Sequence, residues 1–296
     1  MTFYSIGDTI ICWNKGNFPL ELDENTLPFV VREQDVSAAE DMICYTSAEE
    51  QLGQYKEQRL LQINETYELY ETERGHLMIY HWATCRFAYG FWLEDLKAGN
   101  EVPCYFNPKM REEIPITTSR FFSTAGLHAK LLQRDAVVLH ASYVCRNGAA
   151  ILFTAPSETG KTTQARLWEK YRGAEIINDD RVLLRKYQGV WHAFGYPCCG
   201  SSKICKNRTL PLQAVVVLEQ GAENRVCALS AAQKIRALVS GIEVYLWDRE
   251  EIDRSFCLAG QIAGEVPVIK LVCRPDAGAV AALDRYLEEE WYATGI

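Results

Sequence analysis

Residues 149–163 read AAILFTAPSETGKTT. An apolar run enters, a short polar turn follows, and Gly160-Lys161-Thr162-Thr163 opens the amphipathic stretch TTQARLWEKYRG, which closes on Gly173. Strand, loop and helix in that order are the context in which backbone N–H groups at a helix start cradle phosphate. A lysine there reaches the β- and γ-phosphates, and the hydroxyl after it ligates Mg²⁺. Lys161 and Thr162 fill those two places. Ser157, Glu158, Thr159, Gly160 and Thr163 complete the candidate nucleotide-binding set. The first glycine of a phosphate loop is replaced by Ala155, followed by Pro156. Glycine is required there only if the backbone takes a positive φ or packs very closely. Glu158 is the less compatible residue, because a carboxylate facing a triphosphate is repulsive unless it points to solvent.

The rest of the chain sets the frame. Its 296 residues suffice for one large or two ordinary domains. A net charge of -8 without a long basic block argues against nucleic-acid partners or an anionic membrane surface. No apolar run approaches the roughly 18 residues of a membrane span. The 11 cysteines are scattered, without CxxC spacing, and the N-terminus lacks a signal-peptide pattern. A cytoplasmic protein with reduced thiols is expected. Cys198, Cys199 and Cys205 cluster, and are read as buried thiols in preference to a metal site that would lack a fourth ligand.

Pattern changes near residue 115. Before it, TIICWN, DMICYT, RLLQINETYELYET, HLMIYHW and RFAYGFWL alternate and are rich in β-branched and aromatic residues. The expectation is a mostly antiparallel β domain over 1–115. A mixed α/β domain is expected over 116–296. It opens with a helix over 117–134. Strands AVVLHASYV and AAILFTA follow, then the loop and its helix. AEIINDDRVLLRK, VWHAFGY and LQAVVVLEQG read as strands, SAAQKIRALVSGI as a serine-capped helix, VPVIKLVCRP as a strand and AVAALDRYLEEEWY as a last helix.

Two features flank the loop. His140 lies in the strand before it, where alone it would read as a core histidine. Asp179 and Asp180, in IINDDRV, end an apolar run. Neighbouring side chains of a strand point apart. One carboxylate could therefore face a reacting hydroxyl and the other a metal, a division suited to phosphoryl transfer. Two solvated acids in a turn is the alternative.

In order, His140, APSETGKTT and NDDRV resemble the HPr serine kinase family, whose phosphate-loop core is akin to that of phosphoenolpyruvate carboxykinase. The resemblance covers about residues 120–210. It implies an HPr kinase-like fold, ATP and Mg²⁺ as nucleotide and cofactor, Asp179 as catalytic acid/base, His140 near the γ-phosphate, and Thr162 with Asp180 at the metal. Ala155 and Glu158 stand where the family has glycines, and GYPCCGSSKICKNRTLPL stands in place of its glycine- and acid-rich signature. The chain looks more like the HPr-kinase-like proteins encoded with ribosomally made peptides, including the lasso-peptide kinases. That similarity implies a serine/threonine kinase acting on a peptide or small protein. Gly200, Ser201, Ser202 and above all Lys203 are candidate nucleotide or acceptor-phosphate contacts. The N-terminal domain is left with acceptor recognition or a homo-oligomer contact. A kinase of a small hydroxylated molecule such as free serine, and a non-catalytic nucleotide-binding accessory protein, are the rival readings.

Overall fold

A computed structural model describes residues 1–36, 41–200 and 202–294. Ser201 lies outside the described residues. The chain divides into two compact units, Met1–Lys130 and Leu131–Ile296.

The first unit carries a nine-stranded sheet. Its strands are antiparallel except around Asp41–Glu49, which runs parallel to both neighbours, Thr9–Asn14 and Glu101–Phe106. The expected run 59–72 is two strands, Arg59–Ile63 and Tyr67–Thr72, because Asn64 accepts from the N–H groups of Thr66 and Tyr67 and turns the chain. Trp13, Phe18, Tyr45, Tyr89 and Phe121 pack ring against ring in its core. The single helix expected over 117–134 is two, Thr118–Thr124 and Leu127–Leu132. Gly126 between them adopts φ +66°, a conformation that ends a helix. Residues 116–130 thus belong with this unit.

The second unit is built on eight connected strands. Two of them are long: Ala136–Arg146 and Thr209–Gln220. The first half of Ala136–Arg146 pairs with Arg181–Tyr187, and its second half with Ala149–Thr154 and Glu175–Asn178. Thr209–Gln220 likewise pairs with Val190–Phe194 at its start and with Ala149–Thr154 and Val268–Cys273 further on, both parallel. Arg181–Tyr187 pairs with Val190–Phe194, so the pairings run round a closed circuit of five strands.

Strand Ala149–Thr154 is buried throughout. Ile151 and Phe153 enter a layer with Ala165, Trp168, Val280 and Leu283 from the helices Lys161–Arg172 and Ala277–Thr294. Ala150 and Leu152 enter a second layer with Leu238, Leu258 and Ile262 from Ala231–Val239 and Arg249–Glu265. This two-sided burial explains the unbroken apolar run in the sequence. Ser230 caps the first of those two helices with Gln233 in a capping box. Helix Arg249–Glu265, capped by Asp248, has no counterpart in the sequence reading. The chain is therefore a β-rich unit followed by a mixed α/β unit, the expected fold class. No helix of the described residues is long and apolar enough to cross a membrane.

Candidate phosphate and acid–base site

The buried strand delivers the loop. Thr154 Oγ1 donates to the carbonyl of His140 at 3.0 Å, which fixes the loop's start against the neighbouring strand. The chain then turns through 155–160 into helix Lys161–Arg172. Gly160 holds φ +113° at the N-cap, and no side-chain hydrogen bond caps this end. Its first-turn N–H groups therefore remain donors toward whatever lies in the loop. Lys161 is only 8% exposed, and its Nζ donates to the carbonyls of Ala155 at 3.0 Å and Pro156 at 3.4 Å. Burial pushes its pKa below the usual lysine value, and the nearby Asp180 carboxylate opposes that shift.

Ala155 lies outside the left-handed region, so no glycine is needed there. Position 158 is different: Glu158 has φ +63°, and its side chain is exposed. Ser157 and Thr163 are exposed, while Thr159 and Thr162 are half-buried.

The expected strand 174–186 is broken by a turn into Glu175–Asn178 and Arg181–Tyr187. Asn178 makes the turn. Its Oδ1 accepts from the N–H groups of Asp180 and Arg181 at 2.9 and 3.0 Å. Its Nδ2 donates to the carbonyls of Tyr196 and Cys198, both at 2.9 Å. One buried amide thus pins the acid turn to the segment after Gly195.

The two aspartates face different partners. Asp179 is 4% exposed. Its oxygens accept from Gly200 N at 2.9 Å, Ser202 N at 3.1 Å and Ser202 Oγ at 2.5 Å. A Cβ on Gly200 would lie 3.0 Å from Asp179 Oδ2 and 3.4 Å from Asp180 Cβ, so a side chain there would press on the Asp179 carboxylate. Asp180 is the accessible one, with a side chain 23% exposed. It sits 2.9 Å from His140 Nε2 and 2.7 Å from Arg181 Nη1. The hydrogen bond from His140, then Arg181 and Lys161, hold its pKa below the ordinary carboxylate value against the effect of burial. His140 itself is 42% exposed. The segment after helix Ala231–Val239 backs this pair. Gly241 O accepts from His140 N at 2.8 Å, and Glu243 pairs with Arg181 at 3.2 Å.

The structure thus brings His140, Lys161, Asp179 and Asp180 to one end of the strands. It leaves Lys203 exposed, with φ +55°. Cys198 and Cys205 are buried, and Cys205 donates to the Tyr196 carbonyl at 3.0 Å. Asn178, Arg181, Gly241 and Glu243 escaped the sequence reading. Asn178 alone had a signal, as a turn-forming amide beside the acids.

The donors near the loop suit Mg²⁺ arriving with a nucleotide. Thr162 and Asp180 offer oxygen, and this ion takes few protein ligands beside phosphate and water. Among the described residues no group of three or more His, Cys, Asp or Glu side chains is placed to hold a metal by itself.

The sequence profile of the SynChlorMet cassette protein ScmC family matches residues 102–259, just over half of the chain and all of the site. No curated protein matches. Among solved structures, the chain is similar to the Hpr(Ser) kinase/phosphatase from Coxiella burnetii. That likeness has 13% identity, covers 53% of this chain and 95% of that one, and has a TM-score of 0.30.

Proposed function

We propose, for a chain that belongs to the SynChlorMet cassette protein ScmC family, a phosphotransferase that moves the γ-phosphoryl group of ATP to a serine or threonine hydroxyl on a peptide. The observation that carries this reading is the His140–Asp180 pair, 2.9 Å apart, beside the buried Lys161 at an uncapped helix start. Phosphoryl transfer asks little covalent chemistry of a protein. It asks for phosphate placement, charge neutralisation and a group to take the acceptor's proton.

Each need has a residue. The N–H groups at the start of helix Lys161–Arg172 and the Lys161 ammonium bind the β- and γ-phosphates. On nucleotide entry Lys161 exchanges two loop carbonyls for phosphate oxygens. Thr162 would hold Mg²⁺, which supplies neutralisation of charge on the phosphates. Asp180, kept ionised by His140 and Arg181, accepts the proton of the attacking hydroxyl, and His140 orients it. Asp179 is given a positioning role. Its carboxylate is engaged by Gly200 and Ser202, and it holds the 198–205 segment beside the site. This gives Asp180 the acid/base role that the motif resemblance implies for Asp179, and leaves Asp179 without a direct part in the chemistry. The peptide acceptor follows from the motif resemblance alone.

The test is direct. The protein is incubated with Mg²⁺ and γ-labelled ATP, with serine- and threonine-containing peptides and, separately, with free serine. Label on a peptide is the expected outcome. Label on free serine alone would transfer the reading to a small-molecule kinase. Binding of ATP without transfer to any acceptor would leave the accessory-protein reading, which Glu158 and the missing loop glycines favour.

A further inference from the structure

A groove of about 530 Å³ lies beside the phosphate loop. Pro156, Glu158 and Thr159 form one wall, and Leu218, Glu219 and Gln220 the other. It is shallow and open to solvent.

Its position is set by the sheet. Strand Ala149–Thr154 has two neighbours in the sheet. On one edge is Ala136–Arg146, with His140 and the adjoining Asp180. On the other is Thr209–Gln220, whose last residues line the groove. A triphosphate laid across the loop with its γ end at His140–Asp180 must send its nucleoside toward the groove. Ligands in such sheets lie outside the carboxyl ends of the parallel strands, as this groove does.

The chemistry agrees. Glu158 is exposed, and Glu219 is half-exposed with one oxygen on Lys270 at 2.9 Å. Two carboxylates repel phosphate, so the groove does not suit the γ end. They accept hydrogen bonds from a neutral group rich in O–H donors. Glu158 also keeps a left-handed backbone, φ +63°, where glycine would be unstrained. Such strain costs about 1–3 kcal/mol and concentrates where a side chain is needed.

We propose that this groove binds the nucleoside half of the triphosphate, with Glu158 and Glu219 accepting from the ribose hydroxyls. The inference rests on the phosphate-loop reading above. Calorimetry tests it with ATP, 2′,3′-dideoxy-ATP and inorganic tripolyphosphate, on the wild type and on Glu158→Gly and Glu219→Ala. Both substitutions lie at the surface, and melting curves confirm folding. The expected result is a loss of about tenfold or more in ATP affinity for each variant. Removing the ribose hydroxyls should cost the wild type a similar factor and the variants much less, while tripolyphosphate binds all three proteins alike. Unchanged ATP affinity in both variants, or equal losses for ATP and dideoxy-ATP, overturns the groove. Failure of tripolyphosphate to bind the wild type overturns the phosphate loop itself, and the groove with it.

Discussion

Asn in place of each aspartate separates their roles. Asp180→Asn keeps the shape of the side chain and removes its capacity to accept a proton. General-base contributions are about 10²- to 10⁴-fold, so transfer should fall by that factor, equivalent to about 3–5 kcal/mol of barrier. Asp179→Asn should act differently. Its two oxygens accept from two backbone N–H groups and one hydroxyl. An amide replaces one of those oxygens by a donor, so at least one donor of the 198–205 segment is left facing an N–H. A hydrogen bond to a charged group contributes about 1.5–3 kcal/mol, and an orphaned buried donor a similar penalty. A stability loss of about 2–4 kcal/mol follows. The measurements are urea unfolding, ATP binding by calorimetry, and single-turnover transfer from γ-labelled ATP to an acceptor peptide. Asp180→Asn should remain folded, bind ATP and fail to transfer. The reasoning is refuted if folded Asp180→Asn transfers within about tenfold of the wild type, or if Asp179→Asn is as stable as the wild type and transfers nothing.

Lys161→Met should lower ATP affinity by about tenfold or more in calorimetry, because no other described cation donates inside the loop; unchanged affinity would remove Lys161 from the phosphate site. The stability that Asp180 draws from His140 and Arg181 is present above the ordinary carboxylate value and disappears as pH falls through its depressed folded value. Unfolding curves of the wild type and Asp180→Asn should therefore differ by a constant amount near neutrality and converge below about pH 4, whereas convergence on raising the pH would contradict the assignment. Gly195→Ala would put a Cβ 2.0 Å from the Lys206 carbonyl oxygen and 3.0 Å from Asn207 Cα. Backbone must move to admit it, and the urea midpoint should report a loss of about 3 kcal/mol, with a loss under about 0.5 kcal/mol showing that the contact is soft.

The elements that carry the candidate site were legible because their pattern is local. An apolar run ending in a polar turn and Gly160-Lys161-Thr162 is a strand, a loop and a helix by pattern alone, and the structure has those elements. His140 and the aspartates could be named as candidates, but which acid faces the histidine depends on partners far away in sequence. Asp179 is turned inward by Gly200 and Ser202, about twenty residues on, and no periodicity predicts that pairing. The same limit hid the turns inside 59–72 and 175–187, where asparagine rather than glycine or proline reverses the chain. Helix Arg249–Glu265 was missed because Glu251 and Ser255 interrupt its buried face, and its burial against strand residues such as Val137 and Leu152 replaces intrinsic propensity. The parallel pairing of Asp41–Glu49 could not be read at all, since alternation fixes a strand's faces and not the direction of its neighbours.

The closed circuit of five strands has a consequence for how such a site diversifies. The strands that carry His140 and the loop have no unpaired edge near the reacting groups, so neither can peel away without opening the whole circuit. Amide exchange at Leu139, Leu152 and Val216 should accordingly report global unfolding rather than local breathing. The segment 196–208, in contrast, is attached to this frame by the side chains of Asn178 and Asp179 and by a short backbone bridge at Cys205 and Lys206. A new acceptor could be accommodated by rewriting that segment while the register of histidine, loop and acid stays untouched.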